Sequence, residues 1–189
     1  MPPPLFSVAD MRVADRHVVR KAAMLVGLGN YSHPTTRHSI GQYCLSPLLP
    51  PAEAHDAAVR AEVARRVARR SPDAQTFELP VPAATEPFRP VAASKGWLAR
   101  VSVLLDAAPP KGDAARRSPH FRMHAYPYVL YDLVLYIPRM LMNVNGKGVA
   151  AARALYPELA VSDTLLVHDE LQRAFGKVSF KHGGSAAGH

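Results

Sequence analysis

The run Ala22-Ala-Met-Leu-Val-Gly-Leu-Gly29, closed by Asn30, limits the possible folds of this chain more than any other stretch. A short apolar run of this kind predicts a buried strand, and Gly27 and Gly29 let the backbone turn where it ends. The turn delivers an amide side chain at the strand tip, with Arg37 and His38 a few residues further on. Open α/β sheets bind ligands beyond the carboxyl ends of their strands, which makes Asn30 and His38 candidates for chemistry. Histidine is also the side chain whose proton affinity best suits transfer near neutral pH.

The rest of the pattern predicts an α/β domain built on a mixed, twisted sheet flanked by helices. Residues 1–21 read as a flexible extension, and a helix should start at Ser39 and be cut short by Pro47, Pro50 and Pro51. Eleven of the 18 prolines lie between Pro47 and Pro119, a density that argues against a packed core there. Within that stretch Ala52–Arg70 predicts a solvated surface helix, with a nucleic-acid-binding arm as the alternative. Strands are expected at Trp97–Leu105, Phe121–Tyr126, Tyr128–Ile137 and Asp163–His168, and Lys177–Lys181 should pair beside the last. A helix is expected over Val144–Tyr156, opened by Asn145-Gly146.

The net charge of +8, from 23 Lys and Arg against 15 Asp and Glu, favours a polyanionic partner, nucleic acid before membrane. Much of the excess sits in Arg60, Arg65, Arg66, Arg69, Arg70, Arg116 and Arg117, so charge supports that reading without locating a site. Cys44 is the only cysteine, which rules out an intrachain disulfide and suits a reducing compartment. It lies in an apolar run and reads as core rather than nucleophile. Tyr126–Met142 is the nearest approach to a membrane span, but Pro127, Asp132, Pro138 and Arg139 interrupt it. Cytosol and mitochondrion both fit a start that carries basic residues yet also Asp10 and Asp15.

Two more blocks stand beside the first: Pro138-Arg-Met-Leu-Met-Asn143-Val-Asn-Gly146-Lys-Gly-Val149, and Leu165-Leu-Val-His-Asp169-Glu-Leu171, followed by Gly176-Lys-Val-Ser-Phe-Lys181-His-Gly-Gly184-Ser-Ala-Ala-Gly-His189. With Gly27-Leu-Gly-Asn30 and Thr36-Arg-His38-Ser-Ile-Gly41 they resemble, in content and order, the bacterial-type peptidyl-tRNA hydrolases. The likeness covers residues 23–44 and 128–189, leaving 45–120 to read as an insertion into the domain at 22–189.

The resemblance implies a phosphorylase/hydrolase-like α/β fold and hydrolysis of the ester joining a peptide to the tRNA 3′ end. The implied enzyme is a monomer with no metal or organic cofactor and no membrane partner. His38 would activate water, Asp169 would hold the imidazole, and Asn30 would sense the blocked amino group. Asn143 and the backbone at Leu141 would hold the 3′ acceptor end, Lys181 a phosphate, and His189 would stand in the last tRNA-binding motif. The blander readings are a loop histidine, a turn-capping Asp169 and a helix-capping Asn143.

Departures from the family pattern are also visible. Tyr31-Ser32 replaces the usual Pro-Gly, and neither Tyr31 nor His33 can be matched to the tRNA-contacting tyrosine of the family's longer loop. The chain stops at His189, inside the final motif, so the expectation is a fragment or misread gene product that folds poorly and hydrolyses slowly or not at all. A binding-only relative, such as an organellar RNA-splicing factor, is the competing class. Rival motifs fare worse: the glycines match only part of a dinucleotide fingerprint, and His120 with His124 falls in a strand-like stretch unsuited to zinc.

Overall fold

A computed structural model of the chain describes residues 18–70, 79, 82–106, 128–171 and 174–183. Its strands are β1 (Val18–Gly27), β2 (Glu86–Val91), β3 (Gly96–Asp106), β4 (Tyr128–Pro138) and β5 (Thr164–Val167). The helices are α1 (Ile40–Leu45), α2 (Leu49–Arg70) and α3 (Asn145–Arg153). The strands form one sheet in the order β2-β3-β4-β1-β5. β1 runs parallel to both β4 and β5, while β2 and β3 form an antiparallel pair that joins β4 antiparallel. The expected α/β class with a mixed sheet is therefore what the chain adopts.

Alternation along the strands sends side chains to two covered faces. Met24, Val26, Leu98, Val134 and Tyr136 pack on Ala152 of α3 and on Tyr156 and Leu159 beyond it. Ala99, Val101, Val103 and Leu135 pack on Leu45 of α1 and Ala52 of α2. A third cluster closes the end where β1 and β4 begin, through Val18, Leu104, Tyr128 and Leu130 against Val63 of α2.

Several expectations shift here. β1 starts at Val18 rather than Ala22, because Val18 is buried and its register with Tyr128 extends the ladder. The proline-rich middle does contribute core. Pro50 and Pro51 fall in the first turn of α2, where a missing N–H costs nothing. That helix is more than a solvated surface: Ala52, Asp56 and Val63 are buried, and Asp56 Oδ1 accepts the Leu104 N–H at 2.8 Å. β2 was not anticipated, since it contains Pro87 and Pro90, but as the edge strand it needs hydrogen bonds on one side only.

Cys44 is exposed rather than core. The six residues of α1 bury Gly41 and Leu45, one turn apart, which turns Tyr43 and Cys44 outward. Lys177–Lys181 forms no strand. The backbone hydrogen bond seen in this segment is a turn contact, Lys177 N–H to the Ala174 carbonyl, and among the described residues no neighbouring strand pairs with it. The expected strand at Phe121–Tyr126, and residues 1–17, lie outside the described residues.

Candidate active site at the strand ends

Three parallel strands point their carboxyl ends the same way, and each recognised block sits just past one of them. β1 ends at Gly27 and leads to Asn30, β4 ends at Pro138 and leads to Asn143, and β5 ends at Val167 and leads to Asp169. Short backbone bonds sew the three exits together. The Leu28 N–H donates to the Val167 carbonyl at 2.9 Å, and the Tyr31 N–H donates to the Met140 carbonyl at 3.1 Å.

The fourth block arrives from one face of the sheet through a 3-10 turn at Arg37–Ser39 and the start of α1. The approach is very close. A Cβ on Gly41 would stand 2.0 Å from the Val167 carbonyl oxygen and 2.6 Å from that of Leu28. A Cβ on Gly27 would in turn meet the Gly41 carbonyl at 2.4 Å. Two hydrogen-only side chains thus let α1 lie against β1 and β5, bringing His38 to the end of β5.

There His38 Nδ1 lies 3.1 Å from Asp169 Oδ1 and 3.0 Å from Oδ2. Oδ1 has the hydrogen-bond alignment, while Oδ2 is equally near but is not engaged as an acceptor. The Asp169 side chain is 7% exposed and the His38 side chain 49% exposed, so the pair joins a shielded carboxylate to an open ring. Arg37 brackets it: its Nε stands 3.9 Å from Asp169 Oδ2, and its guanidinium donates to the Glu170 carbonyl at 3.0 Å. A carboxylate can only accept, which places the imidazole proton on Nδ1 and a lone pair on Nε2.

Asn30 is fixed by a residue that sequence reasoning missed. The Ser39 hydroxyl, fully buried, accepts the Asn30 N–H at 3.1 Å and lies within hydrogen-bonding reach of the Asn30 and His33 carbonyls. Ser39 follows His38 directly, so one turn positions both the imidazole and the strand-tip amide. Ser32 donates to Asn30 Oδ1 at 2.9 Å. Among the described residues the Asn30 NH2 group donates no hydrogen bond.

Asn145 is the second residue missed. It is 2% exposed, and its NH2 group donates to the Gly29 carbonyl at 2.8 Å, tying the start of α3 to the β1 turn. The signal was present as a second amide two residues after Asn143. Asn143 itself lies in the 3-10 turn Met142–Val144 and is exposed. It does not cap α3, whose N-cap is Val144 with no side-chain bond. Leu141 is exposed beside it.

His38, Asp169 and Asn30 are thus joined directly or through Ser39, and Asn143 and Leu141 are carried on a loop bonded to the same turn at Met140 and Asn145. Lys181 is exposed and makes no hydrogen bond or ion pair among the described residues, and His189 lies outside them. Among the described residues no three His, Cys, Asp or Glu side chains gather as a metal site requires. No described helix is long and apolar enough to cross a membrane.

Comparison with known proteins bears on the same blocks. A family profile described as Peptidyl-tRNA hydrolase matches residues 112–189. The probable peptidyl-tRNA hydrolase of Mus musculus is 31% identical over 179 residues, which take in 94% of this chain and 60% of the mouse protein. The peptidyl-tRNA hydrolase of Citrifermentans bemidjiense is 44% identical over 52 residues, or 28% of this chain and 27% of its own. That of Helicobacter pylori strain J99 is 38% identical over 66 residues, covering 35% and 34%. The chain spans about three fifths of the length of the mouse relative. An alignment of 179 residues also runs through 45–120. The profile, the relatives and the order of the four blocks agree: this chain is similar to the peptidyl-tRNA hydrolases.

Proposed function

We propose that this chain hydrolyses the ester of peptidyl-tRNA by letting His38 take a proton from water. The observation that supports it is the pairing of a half-exposed imidazole with a shielded carboxylate, which leaves Nε2 as the ring nitrogen free to meet water.

The chemistry follows from that arrangement. Water attacks the ester carbonyl as its proton passes to His38 Nε2, and Asp169 stabilises the resulting imidazolium. Collapse of the tetrahedral adduct breaks the bond to the ribose oxygen, which takes the proton back. The products are a peptide acid and a tRNA with a free 3′ terminus. Asn30, its oxygen engaged by Ser32, offers its NH2 group to a peptide carbonyl beside the blocked amine. Asn143 and the backbone at Leu141 hold the 3′ end, and Lys181 adds a phosphate contact that carries no sequence preference.

Hydrolysis of an N-acetylated aminoacyl-tRNA tests the proposal. His38→Ala should cut turnover by roughly 10²–10⁴-fold while tRNA binding persists. Unchanged turnover would remove His38 from the reaction. A parent that binds tRNA but is as inactive as the variant would point to an RNA-binding role instead.

A further inference from the structure

The peptide that joins Gly29 to Asn30 is held at both of its polar ends, by side chains from two different elements. Its carbonyl accepts the Asn145 NH2 group at 2.8 Å, and its N–H donates to the Ser39 hydroxyl at 3.1 Å. Both partners are shut away from solvent, Asn145 at 2% exposure and Ser39 at 0%. Gln42 closes in on the same glycine: a Cβ on Gly29 would stand 2.6 Å from Gln42 Cδ, and Gln42 Nε2 donates to the Pro138 carbonyl at 3.1 Å. A peptide unit is planar, so gripping its C=O and N–H fixes the plane in which the Asn30 Cα lies. Asn145 does this with only its NH2 end. Its Oδ1 is buried and accepts nothing among the described residues, a state that disfavours folding. An amide kept in spite of that is not explained by stability alone.

We propose that Asn145 is a positioning residue: working against Ser39, it sets the peptide plane before Asn30 and so aims the Asn30 amide. The inference rests on the role proposed for Asn30, which is to meet the peptide carbonyl beside the blocked amine. Ser39 comes from the turn that carries His38, and Asn145 from the first turn of α3, directly after the loop that carries Asn143. The clamp therefore ties the strand tip to the base on one side and to the acceptor-end loop on the other. Asn30 depends on that aim, because its Oδ1 accepts from Ser32 and its NH2 group is left to read a substrate. A displacement of about 1 Å in such a group can lower the rate on the order of 10²-fold. The loss should fall on the group that Asn30 reads, not on the ester that His38 attacks. Asn145 is thus a determinant of preference for N-blocked substrates.

The test uses the full chain and one aminoacyl-tRNA in two forms, N-acetylated and unblocked, with spontaneous ester hydrolysis subtracted. The parent should favour the acetylated form in kcat/KM. Asn145→Ala should lower that preference about tenfold or more, with the unblocked rate falling less. In proton–nitrogen NMR spectra the Asn30 side-chain NH2 pair should move in the variant. The amide of Val103, far along β3 from the strand ends that carry the site, should stay. A merely structural defect would lower both rates by one factor and leave the preference intact. A folded Asn145→Ala variant that keeps the parent's preference, or leaves the Asn30 pair in place, overturns the proposal. Thermal melts establish that the variant is folded. If it is not, Ser39→Ala releases the other end of the same peptide and is judged by the same two readings. A parent that hydrolyses neither form removes the esterase reading, and one that hydrolyses both alike removes Asn30 as the sensor. In either case the clamp stands or falls on the Asn30 resonances alone.

Discussion

At the scale of single residues, the decisive feature is that Asp169 can accept a hydrogen bond and cannot donate one. In the proposed mechanism its carboxylate, 3.1 Å from His38 Nδ1, sets the tautomer of that ring and supplies the charge that the imidazolium would need. Asp169→Asn keeps the shape but can present an NH2 group to Nδ1, which favours the tautomer with its lone pair on the wrong nitrogen. The expected outcome is a fall in single-turnover hydrolysis of N-acetyl-aminoacyl-tRNA of about 10²-fold or more, by analogy with catalytic triads. Affinity for the tRNA should change little, since the carboxylate is shielded from solvent. A drop in turnover of less than about threefold would remove Asp169 from the role proposed for it. These residues were legible because each stands in a short motif beside a predicted strand end. Ser39 and Asn145 were not, because nothing in a lone serine or asparagine tells which carbonyl it will reach after folding.

Between elements, the contact of α1 with β1 and β5 decides whether the motifs meet at all. Gly41 is the tightest point, with a prospective Cβ 2.0 Å from a backbone oxygen that cannot rotate away. Gly41→Ala must push α1 off the sheet. Urea denaturation should show a loss of about 1–3 kcal/mol, the usual range for overpacking. Hydrolysis should fall by more than the folded fraction does, because the shift separates His38 from Asp169. A variant as stable and active as the parent would mean that α1 is not held as described. The elements themselves were unevenly readable. β4 declares itself through alternation, with a buried residue at nearly every second position. β2 hides because prolines forbid a central strand but not an edge. Lys177–Lys181 misleads in the opposite direction, since alternation alone cannot supply the partner that a strand requires.

For the whole molecule, convergence depends on strands that are distant in sequence lying side by side, and Tyr136 sits where they do. It pairs with Val26 of β1 on one side and Leu98 of β3 on the other, is fully buried, and donates to the Ser94 carbonyl at 2.7 Å. The four motifs could be read from the chain, but the order that sets β1 between β4 and β5 could not, because adjacency in a sheet is decided by packing. Burial disfavours the phenolate and pushes the Tyr136 pKa up to about 12. A group whose folded pKa exceeds its unfolded one stabilises the fold fully below the unfolded value and stops doing so as pH climbs through the folded value. Here that window runs from pH 10 to about 12. The two-unit gap corresponds to a loss on the order of 2–3 kcal/mol across it. Urea midpoints measured from pH 8 to 12 should therefore fall steeply above pH 10 in the parent. Tyr136→Phe removes the ionisation along with the hydrogen bond to Ser94, so it should start lower and fall less. Parallel curves for the two proteins would show that alkaline unfolding has another origin, and that the phenol at the centre of the sheet does not govern it.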